Sequence, residues 1–138
     1  MDLPKKQAKE EVLKHKFFRI AQEQMFISDH ETRMGAVLVI NNKHYFASHN
    51  YVNKTHPLIK KHYPNHVQSI HAELNALIKY NEVRFGRLLG AKMYVYREDR
   101  HGVMKNSKPC KSCEKLMKEA GIRKVYYSIT SGYRMEVL

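Results

Sequence analysis

The sequence has no tryptophan and only two cysteines in 138 residues, and its 13 acidic residues face 25 lysines and arginines. Two cysteines exclude a disulfide-dense scaffold and a four-cysteine zinc site. No apolar run approaches the roughly 18 residues of a membrane span. The stretch MDLPKKQAKEEVLKHK lacks the apolar centre of a secretory signal. The expectation is therefore a cytoplasmic protein with reduced thiols and no membrane partner. There is also no internal repeat, no low-complexity segment and no linker. Residues 1–138 are expected to form a single domain, and with 43% hydrophobic residues the chain can bury a core without disulfide staples.

The shortage of acid leaves a formal charge of +12. A field of that sign concentrates polyanions and phosphorylated small molecules near the surface. Lysines occur early (Lys5, Lys6, Lys9, Lys14, Lys16), in the middle (Lys54, Lys60, Lys61) and late (Lys105, Lys108, Lys111, Lys115, Lys118). A solvated surface and a phosphate-binding role explain this spread equally well.

Apolar residues at Leu13, Phe17, Ile20, Ala21 and Met25 predict one amphipathic helix over residues 4–27. Gly35-Ala36-Val37-Leu38-Val39-Ile40 reads as a strand buried on both faces. Asn41-Asn42 is a turn signal, and residues 43–49 read as the returning strand of a hairpin. Residues 50–69 are polar, contain Pro57 and Pro64, and predict a long loop. Helical spacing returns over residues 71–80. Residues 92–96 predict a strand, 97–108 a polar crossover, 110–120 a second helix with Gly121 at its C′ position, and 122–128 a further strand. Strands alternating with helices argue an α/β sheet flanked by helices.

Two motifs carry chemistry: His71-Ala72-Glu73 and Pro109-Cys110-Lys111-Ser112-Cys113. A CxxC at a helix start turns both thiols one way, toward the positive end of the dipole, which favours the thiolates that bind metal. His71 opens another predicted helix. One imidazole and two sulfurs suit zinc and leave a fourth position for water, the pattern of a catalytic site. Zinc so held lowers the pKa of its water toward roughly 7. Glu73, in the same first turn as His71, is the candidate proton shuttle. A redox CxxC would leave His71 and Glu73 without a role, and the flanks lack the expected aromatic residue. A non-catalytic, zinc-stabilised nucleic-acid-binding module would have no use for Glu73.

An HAE followed by PCxxC resembles the signature of the zinc-dependent cytidine and deoxycytidylate deaminases and of the tRNA adenosine deaminases. The likeness runs from about residue 35 to residue 128. It implies a three-layer α/β/α sandwich around a mixed, mostly five-stranded sheet, with Zn2+ as cofactor. It also implies His71, Cys110 and Cys113 as zinc ligands, Glu73 as the catalytic proton shuttle, and Asn50 and Ala72 as substrate-binding positions. The implied reaction is hydrolytic deamination of cytosine to uracil, with attack at C4 while Glu73 protonates the ring nitrogen and assists departure of ammonia. Lys54-Thr55-His56-Pro57 and Ser107-Lys108-Pro109-Cys110 look most like deaminases carried by bacteriophages. Two departures stand out. Ser48-His49-Asn50-Tyr51 keeps only the asparagine and a neighbouring aromatic of a GYNG-like segment, and Ser112 stands where tRNA enzymes carry methionine.

Within the resemblance two substrates compete. A free nucleotide such as dCMP or CMP would be held at Asn50, its phosphate met by Lys54, His56 or Lys60. Cytosine, ahead of adenine, in single-stranded DNA or RNA would use the basic face, with Tyr51, Tyr63, Tyr126 or Tyr127 stacking on bases. The charge favours the polymer; the small size and the lack of an appended nucleic-acid module favour the nucleotide. The histidines between His56 and His66 read as surface or pocket residues ahead of a second metal site, since no cysteine is left to join them. Relatives of this kind often form homo-oligomers through helix faces, and the sequence selects none.

Overall fold

The computed structural model describes residues 4–28, 32–41, 44–52, 69–70, 76 and 90–138. Two helices come first, α1 (Lys5–Val12) and α2 (Lys16–Ile27). Strands β1 (Met34–Val39) and β2 (Tyr45–His49) follow, and then the short strands β3 (Tyr51–Val52) and β4 (Ser69–Ile70). The chain continues through β5 (Lys92–Arg97), helix α3 (Lys111–Ala120), β6 (Lys124–Ile129) and β7 (Gly132–Val137). The main sheet has five strands in the order β2-β1-β5-β6-β7, and β3 pairs with β4. Only the β5 to β6 pairing is parallel; the other three ladders are antiparallel. This is the expected mixed five-stranded sheet of an α/β sandwich.

The single helix expected over residues 4–27 is instead two. The chain turns at Leu13 to His15, where His15 is extended (φ −78°, ψ 122°). The Arg19 guanidinium donates to the carbonyls of Leu13 (3.1 Å) and Lys14 (2.9 Å), satisfying acceptors that the broken helix leaves open. The break lets Ala8 and Val12 of α1 and Phe18, Ala21 and Met25 of α2 enter one core cluster. A straight helix could not wrap both segments onto the same sheet face. Burying Phe18 alone contributes about 1.5–3 kcal/mol.

Alternation along each strand divides the core into two clusters. Val37, Val39 and Tyr96 point to α1 and α2. Ala36, Leu38, Met93, Val95, Val125 and Tyr127 point the other way, to Met117 of α3 and to Ala76, which is helical and fully buried. Helices therefore cover both faces.

Gly35 is where α2 crosses β1. A Cβ there would fall 1.7 Å from the Ala21 carbonyl oxygen and 2.9 Å from the Met25 nitrogen. Glycine is required for this approach, not for a turn. The end of β5 is tied to both helices by buried Glu98. Its carboxylate accepts from Tyr96 Oη (2.6 Å) and Gln22 Nε2 (2.8 Å), and pairs with Lys9 Nζ at 3.1 Å. Burial, followed by the bond to Glu98, drives the Tyr96 phenol far above its usual range.

The expected hairpin, the strands at 35–40, 92–96 and 122–128, and the helix at 110–120 are all present within a residue or two of their expected ends. Gly121 takes the left-handed conformation at φ 98° that ends α3. At the two ends of the expected long loop over residues 50–69, Tyr51 and Val52 pair with Ile70 and Ser69 as β3 and β4, and residues 53–68 lie outside the described residues. No helix among the described residues is long and apolar enough to cross a membrane.

Candidate active site

Cys110 is the N-cap of α3, with φ −67° and ψ 163°, and its carbonyl accepts the first helical bond from the Glu114 N–H (2.9 Å). Cys113 lies three residues on, in the first turn. Both are thiols outside any disulfide, Cys110 exposed and Cys113 buried. Two sulfurs stand at one helix N-terminus, at the positive end of its dipole, one of them open to solvent. This donor pair fits zinc, which takes thiolate ligands readily.

The approach to Cys110 is held by links that span the sequence. The Ser107 hydroxyl, fully buried, donates to the Val95 carbonyl (2.9 Å) and accepts from the Ser128 N–H (2.8 Å). The Ser128 hydroxyl accepts from the Arg97 N–H (3.2 Å) and donates to the Lys105 carbonyl (2.9 Å). The Ser107 N–H donates to the Ser128 carbonyl (2.9 Å). The two serines thus pin residues 105–107 across the ends of β5 and β6. Asn106 closes a side-chain turn by accepting from the Lys108 N–H (2.8 Å). Lys108 Nζ then reaches Glu136 of β7 at 3.3 Å, and Tyr127 Oη donates to the same carboxylate (2.9 Å). The Tyr127 bond and Lys108 hold the Glu136 carboxyl below its ordinary range. Three strands therefore fix where the thiols stand.

Asn50 is buried immediately after β2. Its Oδ1 accepts from the Ser28 hydroxyl and the Met34 N–H (3.0 Å), and its Nδ2 donates to the Thr32 carbonyl (2.7 Å). The amide ties the chain leaving α2 to the edge of β1. It is a structural link whose second amide hydrogen remains for another acceptor. β3 begins one residue after Asn50 and β4 ends one residue before His71, so the pairing of Tyr51 with Ile70 closes the base of the intervening segment. His71, Ala72 and Glu73 lie outside the described residues, as do Lys54, His56, Lys60, His62, Tyr63 and His66. Among the described residues no three His, Cys, Asp or Glu side chains cluster as a metal site.

Two polar groups on the α3 face were not expected from the sequence. Ser48 Oγ and Arg97 Nε are buried without a hydrogen-bond partner. Ser48 pairs with Ala36, and Arg97 with Met34. Register therefore sets both on the same face as Met93, Val95 and α3. No periodic signal marks them: Ser48 reads as an ordinary strand residue, and Arg97 as the start of the polar crossover, whereas it ends β5. Ser107 had a weak signal in its place just before Pro109-Cys110; its partner Ser128, 21 residues away, had none.

The frame of the site is thus an α/β sandwich that sets two thiols at the start of one helix. The model of the family "cytidine and deoxycytidylate deaminase zinc-binding region" matches residues 8–129, and the chain belongs to this family. Among solved structures it resembles the dCMP deaminase of cyanophage S-TIM5 in its apo form at 22% identity and a TM-score of 0.57, covering 80% of this chain and 78% of that one. The same phage enzyme in complex with dCMP and dUMP gives 22% and 0.58, over 83% and 79% of the two chains. The cytidine deaminase of Burkholderia pseudomallei gives 21% and 0.64, over 89% and 91%. At these identities the likeness is one of fold. No curated protein matches the chain.

Proposed function

We propose that this protein is a zinc-dependent hydrolase that deaminates cytosine to uracil in a free nucleotide such as dCMP or CMP, with residues 1–138 acting as one domain. The observation that carries the reading is the thiol pair of Cys110 and Cys113 at the α3 N-terminus, held there by three strands, in a chain of the deaminase family. Cys110, Cys113 and His71 would hold the metal. When bound, zinc supplies the Lewis acidity that makes water a nucleophile at neutral pH.

The chain's own groups do the rest. The Glu73 carboxylate takes one proton from the attacking water and delivers it to the ring nitrogen, then takes the proton of the new C4 hydroxyl and passes it to the amine, so that the C4–N bond breaks, the carbonyl forms and ammonia leaves. Water is a weak nucleophile and an amine a poor leaving group, so one shuttle must serve both ends of the reaction. The backbone at Ala72 and the remaining amide hydrogen of Asn50 are the substrate-side contacts. The Arg97 guanidinium, on the α3 face with Nε lacking a partner, is a cation suited to a phosphate. That group, and the dCMP and dUMP held by the phage relative, support a nucleotide over a bare nucleoside.

The test is mass spectrometry of zinc-loaded protein offered deoxycytidine, cytidine, dCMP, CMP and a cytosine-containing single-stranded oligonucleotide in parallel. The expected result is turnover of dCMP or CMP and loss of roughly 10²–10⁴-fold or more in Glu73→Ala, with zinc retained. Turnover of the oligonucleotide alone would replace this reading with nucleic-acid editing. Activity in Glu73→Ala close to wild type would overturn the proposed mechanism.

A further inference from the structure

The sheet face that carries α1 and α2 is covered only in part. α2 lies over β1 and the adjoining part of β5, where Val37 and Tyr96 are buried. Further across, Tyr133, Met135 and Val137 of β7 remain 42%, 43% and 62% exposed. Register places them beside two cations and an aromatic pair on the same face. Lys92 pairs with Lys124, which pairs with Val137; Tyr94 pairs with Tyr126, which pairs with Met135. The Tyr94 and Tyr126 rings stack 4.6 Å apart at an interplanar angle of 7°. Tyr133 continues the series 6.3 Å from Tyr126. At the other end Phe17 links Tyr94 (5.4 Å) to Tyr45 (5.7 Å), and the Lys16 ammonium stands 5.7 Å from the Tyr45 ring.

No acidic side chain belongs to this face within β5, β6 or β7. Glu136 points to the opposite face, where it meets Tyr127 and Lys108. Glu98, just past β5, is buried against Lys9, Tyr96 and Gln22. Glu11, on α1, is paired with Lys14. The face therefore combines half-open rings with unneutralised lysines on a chain of net charge +12. A second copy of the chain fits it poorly, because each molecule would bring lysines and the same large positive charge to the contact. A flexible polyanion with flat rings fits both features, because each base offers a π-face and each phosphate a partner for lysine. We infer that this face binds single-stranded nucleic acid, with bases stacked on Tyr126 and Tyr133 and phosphates met by Lys92 and Lys124. The site is separate from the cysteine face, so it does not rest on the deaminase reading.

Fluorescence anisotropy with labelled oligodeoxythymidylate tests it, since thymine has no exocyclic amine to be removed. Saturable binding that weakens with salt is expected. Tyr133→Ala should weaken it about tenfold, by loss of one stacking platform. The double variant Lys92→Gln, Lys124→Gln should weaken it and flatten the salt dependence. Lys118→Gln, on α3, should bind as wild type, and thermal melts should show all variants folded. The inference is overturned if wild type does not bind, if the face variants bind as wild type does, or if inorganic polyphosphate competes as well as the oligonucleotide at equal phosphate. It is overturned equally if anionic vesicles are bound and the oligonucleotide is not, or if sedimentation shows a dimer that the face variants dissociate. Absence of deamination on every substrate would sink the proposed activity and leave this binding result untouched.

Discussion

The two faces of the sheet are built from the same strands, yet they solve different problems. On the α3 face the buried side chains are aliphatic residues, methionine and Tyr127, and Glu136 receives Lys108 and Tyr127, while Ser107 and Ser128 lock the approach to Cys110 at the ends of β5 and β6. On the α1 and α2 face the strands carry Tyr94, Tyr96, Tyr126 and Tyr133, and the packing is aromatic, with one buried carboxylate at the end of β5. The first face holds two thiols in place through short hydrogen bonds of defined direction. The second is held by close helix packing at Gly35 and opens toward β7 into rings and lysines. Precision of position is needed where chemistry is proposed, and directional bonds supply it better than ring packing does.

The largest effect should come from the aromatic face. Gly35→Ala forces a methyl group into the Ala21 carbonyl, and backbone cannot step aside as a side-chain end can. A loss above about 4 kcal/mol is expected, read as collapse of soluble yield or of the denaturant midpoint. A variant as stable as wild type would mean that α2 does not pack so closely on β1.

Cys113→Ala should act on the other face and through the metal. Elemental analysis should find no zinc, and the melting temperature should fall and stop responding to chelator, because ligand loss removes folding energy along with the ion. Chelation of wild type should lower its melting temperature in the same direction. A chelator-insensitive wild type would separate the thiols from any metal.

Ser107→Ala is expected to cost about 1–3 kcal/mol, since it leaves the Ser128 N–H and the Val95 carbonyl buried without their partner. If the serine lock positions the thiols, zinc affinity should fall with it; a drop in stability with unchanged zinc affinity would reduce the lock to a packing role. Glu136→Gln should be the mildest. The Glu136 carboxyl is held below its ordinary 4.5 by Tyr127 and then Lys108. Wild type should therefore be the more stable of the two above pH 4.5. That advantage should disappear as the pH falls through the depressed value, so paired thermal melts across acid pH should converge. Curves that run parallel at every pH would show that the contact contributes no charge-dependent stability.

Much of the fold was legible because it rests on short-range patterns. The β-branched run at β1, its antiparallel pairing with β2, and Gly121 after α3 each express a constraint acting within a few residues. The missed break at Leu13 to His15 shows where such reading stops: the apolar stripe continues through it, and only the shared core under α1 and α2 requires the bend. β7 was not anticipated either. Tyr133, Met135 and Val137 alternate as a strand should, but their face is open, so the pattern carries no burial to distinguish it from a polar tail.

The sequence by itself determined the thiol pair at α3, because a CxxC at a helix start puts two sulfurs at one end of one dipole whatever surrounds it. It also determined the sign of the molecule's field and the alternation that splits each strand between two cores. Only the tertiary structure decided what holds those sulfurs, which strand residues share a face, and which face stays open. Ser107 meets Ser128, Lys108 meets Glu136, and Lys92 stands beside Lys124 through strand register, which is set by the sum of packing across the sheet. No local spacing in the chain encodes that sum.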